Sequence, residues 1–78
     1  MKTEKELRAI SGKAAVYALQ KCKENPDRCT MGDFDIYHND YIFSQGLSLD
    51  EMDRVCDFFA ENATVYYAQI TSLNAKRK

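Results

Sequence analysis

An apolar stripe at alternating four- and three-residue spacing runs through the second half of this 78-residue chain: Met52, Cys56, Phe59, Ala63, Tyr66, Ile70 and Leu73. Seven positions in that rhythm describe one seam of a long helix. The segment opens with Ser48-Leu49-Asp50-Glu51, a capping-box pattern in which Ser48 caps the helix and Glu51 reaches back to it. A helix over about 48–75 would be roughly 40 Å long. That is long for so short a chain, and it points to a partner.

The first helix is expected over about 3–25. Thr3 and Glu6 form a second capping box, and Leu7, Ile10, Ala14, Ala18 and Cys22 recur at helical spacing. Gly12, Ser11, Ala14, Ala15 and Ala18 make part of this helix thin. Asn25-Pro26 ends it, since proline disfavours a helical residue before it and donates no hydrogen bond.

Between the helices, Phe34 and Ile36 alternate with Asp35 and Tyr37, and a second apolar run, Tyr41-Ile42-Phe43, follows. This pattern predicts a short β-hairpin over about 33–44 that turns near His38-Asn39-Asp40. The expected fold is therefore α+β in the order α-β-β-α. It is mainly helical, a single small domain over 1–78, with two long antiparallel helices flanking the hairpin. Apolar groups off the main seam, Val55, Phe58, Val65 and Tyr67, exceed what such a monomer can cover. They are expected to form the interface of a homodimer.

Charge is segregated although the net value is only −1. Residues 1–28 hold seven basic and four acidic side chains, residues 29–67 one basic and eight acidic, and residues 68–78 three basic. No apolar run is long enough for a transmembrane helix. The charged opening Met1-Lys2-Thr3-Glu4-Lys5-Glu6 lacks the apolar region of a secretory signal. With three cysteines, an odd number, the expectation is reduced thiols in the cytoplasm and no membrane association.

Motifs that name a reaction are missing. There is no Gly-Xaa-Ser-Xaa-Gly elbow, no phosphate-cradling glycine loop and no HExxH pair. Asp33, Asp35 and Asn39 suggest a calcium loop, but its required glycine and glutamate positions hold His38 and Ser44. Cys22, Cys29, His38 and Cys56 are suitable residue types for a Cys3His zinc site, yet they lack knuckle spacing. Cys22 and Cys56 also lie on apolar stripes. The reading is of a non-catalytic chain with no cofactor and no catalytic residues.

The feature left to carry function is acidic. Asp50, Asp53, Asp57 and Glu61 recur along one side of the last helix, and Asp33, Asp35 and Asp40 add charge from the hairpin. Such a surface fits a basic one, and basic surfaces belong mostly to nucleic-acid-handling proteins. Tyr37 and Tyr41 are the expected anchors of that contact. The sequence thus reads as a small regulator or inhibitor that docks its acidic face on a basic protein. One alternative is a DNA- or RNA-associated regulator. In antiparallel helices Lys2, Lys5 and Arg8 would lie beside Lys76-Arg77-Lys78 and make one basic end, although a pI near 5.7 weighs against phosphate binding. Another is a metal-stabilised module built on the cysteines and His38.

Overall fold

A computed structural model describes residues 2–25 and 27–76. Four helices follow one another: α1 (Glu4–Glu24), α2 (Met31–Phe43), α3 (Leu49–Glu61) and α4 (Ala63–Lys76). Among the described residues there is no strand, so the expected hairpin is absent and the α+β class is corrected to all-α.

The segment read as a hairpin is α2. Five residues, 33–37, fit a strand alternation and a helix equally well. The longer pattern decides the matter, because Phe34, His38 and Ile42 are buried at four-residue intervals with Tyr37 and Tyr41 half-buried beside them. A capping box starts the helix: Thr30 Oγ1 accepts the Asp33 N–H at 3.1 Å, and Asp33 Oδ2 accepts the Thr30 N–H at 3.3 Å. The other two boxes form as the sequence indicates, Thr3 with Glu6 on α1 and Ser48 with Glu51 on α3. At the end of α1, the Asn25 N–H and side-chain amide both donate to the Lys21 carbonyl. Pro26, Arg77 and Lys78 lie outside the described residues.

A helix in place of a hairpin also changes the direction of the last segment. α2 runs antiparallel to α1: Tyr41 stacks on Tyr17 with ring centroids 5.5 Å apart, Ile42 packs with Leu7 and Ala14, and Phe34 packs with Ala18 and Cys22. Gly46, with φ 68°, takes the left-handed conformation that turns the chain into α3. α3 then runs parallel to α1. The Lys2 N–H donates to Glu51 at 2.9 Å, Arg54 pairs with Glu4, and Arg8 pairs with Glu61 at 3.4 Å, so the contacts climb both helices together. The expected antiparallel pair is therefore corrected to a parallel one. Lys76 consequently lies toward Lys23, at the opposite end from Lys2, Lys5 and Arg8.

The single helix expected over 48–75 is broken at Asn62. Its side-chain amide donates to the Phe58 carbonyl at 3.0 Å, the acceptor its own backbone N–H would otherwise use. That N–H turns to Phe59 at 3.1 Å instead. A side chain that competes for the helical ladder in this way bends it.

Two core clusters divide the length of the bundle, whose principal extents are 44 × 21 × 15 Å. One joins Leu7, Ala14, Ile42, Val55 and Phe58. Phe58 is closed over by two guanidinium groups, Arg8 at 4.1 Å and Arg54 at 4.5 Å from its ring centroid. The other cluster joins Ala15, Ala18, Cys22, Cys29, Phe34 and Ile70, with Phe59 and Tyr66 packed against it. The small side chains of α1 admit the aromatic group Phe34, Phe59 and Tyr66, whose centroids are 5.2–5.9 Å apart. Among the described residues no helix is long and apolar enough to cross a membrane.

Candidate functional site

With α2 helical, the acidic residues of the sequence regroup. Three converge: Asp35 from α2 and Asp53 and Asp57 from α3 all act on the Cys56 thiol. Burial first, then these three carboxylates, push that thiol up. The protonated form is retained at neutral pH, and a protonated thiol is a poor nucleophile.

Beside this group runs a groove of about 240 Å³ between α2 and α3, lined by Asn39, Ile42, Phe43, Leu49, Met52, Asp53 and Cys56. Two large apolar side chains stand at its edge in solvent, Phe43 at 68% and Leu49 at 77% exposure. Ile36 is 51% exposed on α2, two helical turns before Phe43. Asp40 is exposed on α2 as well. The result is an apolar cleft with one carboxylate, Asp53, in its wall and two more, Asp35 and Asp57, near its Cys56 side, Asp57 also pairing with Arg54 at 3.6 Å.

The remaining expected site residues lie apart from it. Asp33 is occupied in the capping box of α2 and pairs with Arg28 at 3.3 Å. Its hydrogen bonds to the Thr30 hydroxyl and backbone hold its carboxyl below the usual value. Asp50 lies by a recess at the far end of the bundle with Lys2, Glu4 and Arg54. Glu61 pairs with Arg8 across α1 and α3. Tyr37 and Tyr41, expected as free anchors, are half-buried, Tyr37 against the core and Tyr41 against the Tyr17 ring. Of the expected dimer residues, Val55 and Phe58 are wholly inside the chain's own core, whereas Val65 and Tyr67 are exposed.

His38 does not sit at an exposed tip. It is 1% exposed, its ring lies 4.2 Å from that of Phe59, and neither ring nitrogen has a hydrogen-bond partner. Burial pushes its imidazole below the ordinary value, while Asn39 and Asp35 nearby pull the other way. Cys22 and Cys29 pack in the core cluster around Phe34, and Cys56 is exposed on α3. Among the described residues no three His, Cys, Asp or Glu side chains gather to hold a metal ion, so the Cys3His alternative is not assembled.

Ile36 and Phe43 fall within the segment whose alternation predicts a hairpin, and Leu49 at a helix start, so the sequence pattern does not group them with the carboxylates. Read as a helix, Ile36, Asn39 and Phe43 fall on one face by spacing alone.

The chain was compared with family models, curated proteins and solved structures: no family model matches it, and neither does any curated protein or solved structure.

Proposed function

We propose that this protein is a non-catalytic interaction module, a small regulator or inhibitor that binds a basic, apolar-bearing segment of another protein in the cleft between α2 and α3. The observation that carries this is the groove between α2 and α3, which sets the Asp53 carboxylate beside the exposed side chains Phe43 and Leu49, with Asp35 and Asp57 acting on the same Cys56 wall. An amphipathic segment can place its apolar residues on Phe43, Leu49 and Met52 while its lysines or arginines meet the carboxylates. The apolar contact supplies affinity, and the carboxylates supply orientation and rate of encounter. A nucleic-acid-handling protein is the concrete class of partner, because basic segments are concentrated there. The cytoplasm, with its reduced thiols, is the compartment that suits this reading.

The test uses two synthetic peptides of equal charge. One is amphipathic, with leucines on one helical face and lysines on the other; the second is a scramble that breaks the apolar face. Fluorescence anisotropy should give binding by the first at least about tenfold tighter than by the second, the two differing by the apolar contact. Asp53→Lys with Asp57→Lys should abolish it, and Phe43→Ala should weaken it while its salt dependence remains. Equal binding of both peptides, or indifference to the charge reversal, would refute the proposal. Tight, steeply salt-dependent retention of duplex DNA would favour direct nucleic-acid association instead.

A further inference from the structure

His38 is the single histidine of the chain, and it marks the level at which the two core clusters divide. One turn before it on α2, Phe34 packs with Ala18 and Cys22; one turn after it, Ile42 packs with Leu7 and Ala14. Between them the imidazole is enclosed, tilted against the Phe59 ring of α3, with no hydrogen-bond partner on either nitrogen. A purely apolar side chain would fill that slot without leaving a donor and an acceptor unsatisfied.

The same ring lies one layer behind the acidic cleft. The next residue, Asn39, lines the groove together with Ile42 and Phe43. Asp35, three residues before His38 and so its neighbour on the helix, acts both on the imidazole and on the Cys56 thiol in the groove wall. The groups around the ring can be named by element. α2 supplies Asp35 and the Asn39 amide. α3 supplies Phe59, with Asp53 and Asp57 acting on the thiol that Asp35 also reaches. α4 supplies the Tyr66 phenol, packed on Phe59. The buried side chains of α1 between Leu7 and Ala18 are Ser11, Ala14 and Ala15, none of them charged. Among the described residues, Asp35 is thus the charged group that acts on the ring.

A neutral ring suits this slot, and burial already favours the neutral form. A proton on the free nitrogen makes both nitrogens donors and leaves a cation without an acceptor in a place closed to water. The anion within its reach is Asp35, which is exposed, so the ring must turn out of the seam to meet it. That movement uncovers Phe59 and engages a carboxylate beside the cleft. We propose, resting on the reading of the cleft as a site for basic segments, that His38 is a proton-operated switch behind it: the neutral ring keeps α2 and α3 in the binding arrangement, and a proton on the ring releases the ligand. Proton and basic ligand compete for Asp35, and each weakens the other by the same factor.

The test is proton NMR on the full chain, in which one histidine gives one set of ring signals. The titration midpoint should lie below the ordinary value of about 6.5 and fall further in Asp35→Asn, a change at an exposed position that removes the anion. The Overhauser contact between the His38 and Phe59 rings should be present at pH 7.5 and lost on protonation. Saturating leucine–lysine amphipathic peptide should lower the wild-type midpoint by at least about 0.5 pH units, a coupling of about threefold. By anisotropy, His38→Phe should bind that peptide as the wild type does at pH 7.5. One pH unit below the free midpoint it should bind at least about twofold more tightly than the wild type. Acid acts on the carboxylates of both proteins, so the difference between them reports the ring. A midpoint at the ordinary value, or one that Asp35→Asn leaves in place, would overturn the proposal without any ligand. Peptide that binds at pH 7.5 but leaves the midpoint unmoved would overturn the switch and leave the cleft standing. Peptide that does not bind at pH 7.5 would overturn the cleft, and the switch with it.

Discussion

α3 and α4 are consecutive helices of 13 and 14 residues, and they are held in different ways. α3 buries Glu51, Val55 and Phe58, starts in a capping box, and is tied to the start of α1 through Lys2–Glu51, Glu4–Arg54 and Arg8–Glu61. α4 buries Ile70 alone, carries no charge before Lys76, and is tied back chiefly by Tyr66 and Leu73 against the core and by the Asn74 amide to the Cys29 carbonyl at 2.8 Å. The difference shows which part of this fold supplies its own stability. α3 completes a core inside one chain. α4 has helical form but little burial, and isolated helices of that length are marginal in water.

The largest expected effect follows from that contrast. Phe58→Ala removes a fully buried ring and uncovers the Arg8 and Arg54 guanidinium groups that close over it. It should cost about 3–5 kcal/mol, enough to unfold much of a domain of this size. Ile70→Ala on α4 should cost nearer 2 kcal/mol, the low end for such truncations, because the space it leaves is beside an exposed helix that can settle into it. Urea denaturation of both variants checks the ranking. Equal losses would mean that α4 is as firmly integrated as α3, and the contrast would be wrong.

These differences were legible in the sequence in proportion to how local their causes are. The Thr3–Glu6 and Ser48–Glu51 boxes are satisfied within one helical turn, and they start α1 and α3 where the sequence puts them. The Thr30–Asp33 box is equally local but was obscured by the strand-like alternation of Phe34, Asp35, Ile36 and Tyr37, four residues too few to separate a period of 2.0 from 3.6. A hairpin in place of α2 reverses the direction expected of everything after it. The seam itself was legible in α4, where Tyr66, Ile70 and Leu73 face the core, and displaced in α3, where Val55 and Phe58 are buried and Cys56 is exposed. The displacement depends on two non-local facts. α3 packs against α1 and α2 together, and the arginine stems of Arg8 and Arg54 cover a ring that periodicity leaves on the outside. The candidate cleft was half legible: its carboxylates were named from spacing, and its apolar edge at Phe43 and Leu49 was not.

A smaller effect sharpens the same comparison at the helix starts. Ser48→Ala removes the acceptor for the Glu51 N–H at 3.2 Å and should cost about 1 kcal/mol, as caps usually do. Thr30→Ala at the start of α2 removes the matching acceptor for Asp33, at 3.1 Å, and should cost a similar amount. Thermal melts of the two would separate the roles of the helices. If Ser48→Ala shifts the transition while Thr30→Ala leaves it in place, α2 is held by Phe34, His38 and Ile42 and not by its cap.

The last expectation is a slope and not a fixed loss. His38 is buried without a hydrogen bond, and burial holds its folded pKa below that of the unfolded chain. Between those two values the unfolded state binds more protons, so stability rises with pH across that window. The contribution is complete above the ordinary histidine value of about 6.5 and is lost as pH falls toward the folded value. The carboxylates with resolved shifts, Asp33 and Glu51, are held below their own ordinary values and titrate at more acid pH. Melting temperature should therefore fall between pH 7.5 and 5.5, close to the ordinary histidine pKa. His38→Phe keeps a ring against Phe59 and leaves nothing to protonate, so its melting temperature should be nearly flat over the same range. It should also equal or exceed the wild type at neutral pH, since an unpartnered buried polar group is replaced by an apolar one of similar shape. An equal slope in both proteins would place the pH sensitivity elsewhere, and would mean that the α2–α3 seam opens far enough to solvate the imidazole before the fold is lost.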